Sequence, residues 1–135
     1  MLESNHQERL NTALTKLDCQ VELPNKWVRF FSRRGVLPES ENDRRQFSRY
    51  HHPAKAVLKL DQSLPAIPRP DELFSVVTKD ISRGGINFLH AQQLFPAERV
   101  RLWLATGIRD VTVMWCVRHN ERCYEIGAVF GEGTT

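Results

Sequence analysis

The stretch HHPAKAVLKL, residues 51–60, changes polarity with a period of two. Ala54, Ala56, Leu58 and Leu60 fall on one face, and Lys55, Lys59 and Asp61 on the other. That period belongs to a half-buried β-strand, not to a helical stripe. The next stretch, DQSLPAIPRPDE, holds three prolines and reads as a loop. Strands then follow at Leu73–Ile81, Ile86–His90, Arg99–Ala105, Asp110–His119 and Cys123–Phe130. Ser82-Arg83-Gly84-Gly85 and Asn120-Glu121 supply turns between them. Six short strands in about eighty residues suggest a small antiparallel barrel or sandwich.

Upstream of residue 51 the period is different. Residues 1–36 read as a helical segment: Ser4 and Gln7 have capping-box spacing, and Leu10, Ala13, Leu14, Leu17 and Val21 recur at helical intervals. Pro24 suits the first turn of a second helix, with Trp27, Phe30 and Phe31 on one packing face and Gly35 as its stop. Residues 37–50, LPESENDRRQFSRY, are polar and aperiodic, an arginine-rich connector. The expected organisation is therefore a helical segment at 1–36, a connector at 37–50 and a β-domain at 51–135.

The 135 residues fit one domain, and 41% apolar with 26% charged content is that of a globular chain. No apolar run approaches the ~18 residues of a membrane span, and MLESNHQERL has no apolar signal region, so a cytosolic protein without membrane insertion is expected. Cys19, Cys116 and Cys123 are an odd, sparse set and read as reduced thiols. The net charge is +3, and the same excess arises within Arg29–Arg49 alone, where six arginines meet three acids. Fourteen of the nineteen cationic residues are arginine, the side chain that grips phosphate with a planar fork and stacks on bases. An anionic partner is favoured.

Enzymatic and metal chemistry find little support. Cys116, His119 and Cys123 have a zinc-like spacing, yet on a strand residues 116 and 119 point to opposite faces and no fourth ligand is near. The hydrolase G-x-S-x-G, the zinc H-E-x-x-H and the Walker phosphate loop are all missing from the sequence. No catalytic residue, metal or cofactor is expected.

Two polar stretches remain: Arg44-Arg45-Gln46-Phe47-Ser48-Arg49 before the first long strand, and Asp80-Ile81-Ser82-Arg83-Gly84-Gly85 where the second ends. Each alone is ordinary, a solvated basic linker and a polar turn. Together they resemble the PilZ domain, a bacterial receptor for the second messenger cyclic di-GMP, whose pattern is R-x-x-x-R followed by D/N-x-S-x-x-G. Arg45 and Arg49 match the first half, and Asp80, Ser82 and Gly85 the second. Tyr124-Glu-Ile-Gly127-Ala-Val-Phe130 looks like the family's last barrel strand, so the resemblance covers 44–130.

The resemblance implies a mainly β fold, a six-stranded antiparallel barrel behind the N-terminal helical segment, and a non-enzymatic receptor that signals to a protein effector. It implies that Arg45 and Arg49 bind cyclic di-GMP, that Asp80 accepts from a guanine edge, that Ser82 adds a hydrogen bond and that Gly85 admits the ligand. It further implies that Arg44 helps to hold a second, stacked ligand molecule. Chemically the roles are sensible: the ligand is a dianion with two guanines, and arginine pairs with phosphate or with guanine O6 and N7. With few apolar residues in 39–49, this arm is expected to order on binding. Two other readings are a PilZ-like protein adaptor that does not bind the nucleotide, and a small barrel for single-stranded nucleic acid. The second is disfavoured because Phe88, Trp103, Trp115 and Phe130 are scattered, not gathered on a basic face.

Overall fold

A computed structural model describes residues 4–27, 35–36, 50–61, 64, 66, 68–69 and 72–131. Helix α1 (Ser4–Lys16) is followed by strands β1 (Gly35–Val36), β2 (Tyr50–Leu60), β3 (Leu73–Ile81), β4 (Gly85–His90), β5 (Arg99–Leu104), β6 (Gly107–Asn120) and β7 (Cys123–Phe130). The sheet order is β1-β2-β3-β4-β7-β6-β5, every pair antiparallel, and a further β2–β5 pairing closes β2 to β7 into a six-stranded barrel. The resemblance's six-stranded barrel is the observed one.

The period-two pattern explains the barrel's interior. Ala56, Leu58 and Leu60 of β2 meet Ile86 and Phe88 of β4, Leu102 of β5, Val111 of β6 and Ile126 of β7 in one core. Full burial of a Leu or Phe side chain stabilises the fold by about 1.5–3 kcal/mol. Val57 is also buried, although it lies on the other face of β2, where α1 packs. The helix is pinned there by buried Leu10 and by a 2.8 Å hydrogen bond between His6 Nε2 and the Leu104 carbonyl.

The helix is shorter than the expected segment at 1–36. Beyond Lys16 the chain becomes a strap on the outside of the barrel, where Cys19, Val21 and Leu23 alternate with exposed Gln20 and Glu22. The three inward residues, with Trp27, cover a second apolar cluster of Val77, Leu89 and Cys123. Val21 satisfies both a helical and a two-residue period, and this patch on the barrel selects the second. Cys19 bridges Ser75 of β3, and Glu22 N donates to Arg122 O at 3.0 Å, so the strap crosses to the β6–β7 hairpin. Pro24–Trp27 is a turn closed by Trp27 N donating to Pro24 O, Gly35 opens β1, and the body of the expected second helix, 28–34, lies outside the described residues. Phe30 and Phe31 lie outside the described residues. Within α1, Gln7 Nε2 donates to Asn11 Oδ1 at 3.4 Å.

Candidate functional site

β2 and β3 are antiparallel, so the start of β2 lies beside the end of β3: Tyr50 faces Ile81 and His51 faces Asp80. On the other side of β2, Val36 faces Tyr50 and Gly35 faces His51. Both ends of the segment 37–49 are therefore fixed side by side, at the barrel rim that carries the Ser82–Gly85 turn. Arg44, Arg45 and Arg49 themselves lie outside the described residues.

The turn is built by its own side chain. Ser82 N donates to Gly85 O at 2.9 Å, and Ser82 Oγ accepts from Gly84 N at 3.3 Å and Gly85 N at 3.2 Å. Gly85 is needed for close approach, not for a left-handed backbone. Its φ is not positive, but a Cβ there would sit 2.3 Å from the Ala128 carbonyl oxygen of β7. The reason is thus a neighbouring strand.

Asp80 belongs to a row that the sequence does not display. It faces His51 across β2, Asn87 faces it across β4, Gly127 faces Asn87 across β7, and Trp115 faces Gly127 across β6. Directly opposed residues share a face of a sheet. The neighbours Ile86, Ala128 and Cys116 all pack in or against the core, so the row lies on the outer face. Asp80 and Asn87 are nevertheless only 3% and 8% exposed, whereas Trp115 is 40% exposed. The indole rests where a Gly127 side chain would begin: a Cβ there would lie 2.2 Å from Trp115 Cε2. Carboxylate, amide and indole thus line up over about three strand spacings, roughly 15 Å. Asn87 and Trp115 escape a sequence reading because register across β4, β7 and β6 sets their alignment.

Next to Asp80, a bulge between Thr78 and Asp80 sets Lys79 and Asp80 on the same outer face. Lys79 Nζ lies 3.0 Å from Glu125 Oε2, whose other oxygen is 2.8 Å from His119 Nε2. Trp27 closes this cluster, 4.9 Å from the His119 ring and 5.2 Å from Lys79 Nζ. The row is in this way contiguous with the strap.

The thiols are placed for packing. Cys116 packs against the barrel core and Cys123 lies in the second cluster outside it, so the barrel wall separates them. Burial raises the Cys116 thiol pKa and pushes that of Cys123 up to about 11, which disfavours thiolate. Among the described residues no group of three His, Cys, Asp or Glu side chains is arranged to hold a metal ion, and no helix is long and apolar enough to cross a membrane.

Comparison with known families matches residues 43–135 to the PilZ domain. The chain belongs to the PilZ family, whose domains typically bind cyclic di-GMP and are generally non-catalytic receptors. No curated protein and no solved structure gives a significant match.

Proposed function

We propose that this chain is a non-enzymatic receptor for cyclic di-GMP that passes its signal to a protein effector. The carrying observation is that the Asp80–Gly85 turn and both ends of the arginine-bearing segment 37–49 meet at one barrel rim. Covalent reach supports the reading. Arg49 adjoins Tyr50, and Arg45 lies five residues before it, within about 17 Å of chain at ~3.4 Å per residue. Arg45 and Arg49 supply charge-assisted bonds to phosphate or to guanine O6 and N7. Asp80 accepts from guanine N1–H and N2–H, donors that adenine does not present together. Trp115, seated on Gly127, offers a face on which a base stacks.

Calorimetry with cyclic di-GMP and its adenine counterpart tests this. Arg45→Ala and Arg49→Ala should each weaken binding about tenfold to hundredfold, since a lost charge-assisted bond costs roughly 1.5–3 kcal/mol. Wild-type affinity in both variants defeats the site. Asp80→Ala should lower the guanine-to-adenine preference more than it lowers affinity for the phosphates. The same titration reads stoichiometry: with Arg44 holding a second stacked molecule, two ligands per chain are expected, and one at saturation removes that role.

A further inference from the structure

β6 is much longer than the strand beside it. β5 pairs with Gly107–Thr112, and the loop before β5 adds only Ala97 N donating to Val113 O and Val113 N donating to Glu98 O. From Met114 to Asn120 the opposite edge of β6 remains paired to β7, but among the described residues no strand pairs the near edge. These seven residues span about 23 Å.

The usual protections of a free edge are weak here. The stretch contains neither proline nor lysine. Arg118 is engaged within its own hairpin, with its guanidinium 5.7 Å from the Tyr124 ring centre and Nε donating to Asn120 O. Met114 and Val117 are 54% and 49% exposed, and Trp115 stands beside them. An open backbone edge carrying three exposed apolar side chains is a template for another strand.

We propose that this edge pairs with the same edge of a second copy of the chain, antiparallel about a two-fold axis at Val117. Val117 is the midpoint of the free span, so this register uses all seven residues. It sets Val117 against Val117 of the partner, Trp115 against His119, Cys116 against Arg118 and Met114 against Asn120. Two-fold pairing is self-complementary in charge, because no cation directly opposes another in this register. An aromatic ring and a β-branched pair lie on the same outer face, the combination that stabilises cross-strand contacts. A single strand pair is smaller than the ~800 Å² per partner of a standard stable interface, so the dimer is weak and concentration-dependent.

Sedimentation analysis between about 10 µM and 1 mM covers the affinity range of such an interface. The wild-type chain should shift from monomer toward dimer, and Val117→Lys, with an unchanged circular dichroism spectrum, should stay monomeric. Val117→Cys gives a reading that does not depend on a lost interaction. Opposed side chains at the axis lie within disulfide reach, so diamide, which takes up the two protons and two electrons, should join the copies. Ile108→Cys, equally exposed on β6 but in its β5-paired half, is the control and should crosslink at least tenfold more slowly. A wild-type monomer throughout, a dimer that survives Val117→Lys, or equal crosslinking of the two cysteine variants each overturns the proposal.

Discussion

His90 shows how a single residue sets a condition on the whole fold. It ends β4, fully buried, with its ring 5.2 Å from that of Phe74, and among the described residues neither ring nitrogen has a hydrogen-bond partner. Burial, aided by the positive charge of Arg69, lowers its pKa from 6.5 to about 4. The unfolded chain therefore binds more protons than the native one between those values, and stability falls as pH drops through that window. A shift of this size corresponds to about 3 kcal/mol lost between pH 7 and pH 4. His90→Phe keeps an apolar ring in the site and removes the titration. Its urea midpoint should decline less over that range than the wild-type midpoint. Equal slopes would mean that His90 is already protonated in the folded protein or escapes the core by a low-energy opening. The sequence shows only a histidine at a strand end; the cost of charging it follows from which face of β4 turns inward.

Strands are the elements most visible in the sequence, and for a physical reason: a barrel wall has one wet and one dry face, so its period appears in the residues. Leu73–Ile81 and Cys123–Phe130 coincide with the expected strands, and β6 is extended by its hairpin ends to Gly107 and Asn120. The strap at 17–27 was hidden because a short apolar alternation resembles a continuing helix until the surface beneath it is known. The proline loop hid more. Arg69, within it, donates Nε to Glu98 Oε1 at 2.8 Å and Nη2 to Glu98 Oε2 at 2.5 Å, and Phe95 N donates to Glu98 Oε2. Glu98 is almost wholly buried. A fork-like pair of this kind ties the β2–β3 loop to the β4–β5 loop, across a separation no local pattern reports. Removing one partner leaves an uncompensated buried charge, so Arg69→Ala should cost about 3–5 kcal/mol. Glu98→Gln with Arg69→Met, which leaves no charge behind, should recover most of it in chemical denaturation. No recovery would assign the loss to loop packing instead of charge.

At the scale of the molecule, two surfaces share one residue. Trp115 ends the outer-face row that begins at Asp80, and it also lies in the half of β6 whose near edge pairs with no strand among the described residues. The motif residues of that row were legible because a turn and a carboxylate sit close together in sequence. Trp115, thirty-five positions beyond Asp80, was not, since only three successive strand registers bring it into line. Taken together, the two proposals make ligand binding and self-association linked equilibria. A base stacked on the indole fixes one rotamer of Trp115 and so removes part of the ordering cost of pairing. Cyclic di-GMP should therefore tighten the dimer, by the roughly 5-fold to 150-fold typical of coupled sites. Linkage demands the reverse effect, shared between the two copies of the dimer. Ligand affinity per chain measured far below the dimer dissociation constant should be weaker than affinity measured far above it, by the square root of the shift in the dimer constant. Val117→Lys, which disturbs the edge but leaves Asp80 and the arginines in place, should bind ligand at the low-concentration affinity under all conditions. A dimer constant unmoved by saturating ligand would show that the edge and the row act independently, and that Trp115 does not couple them.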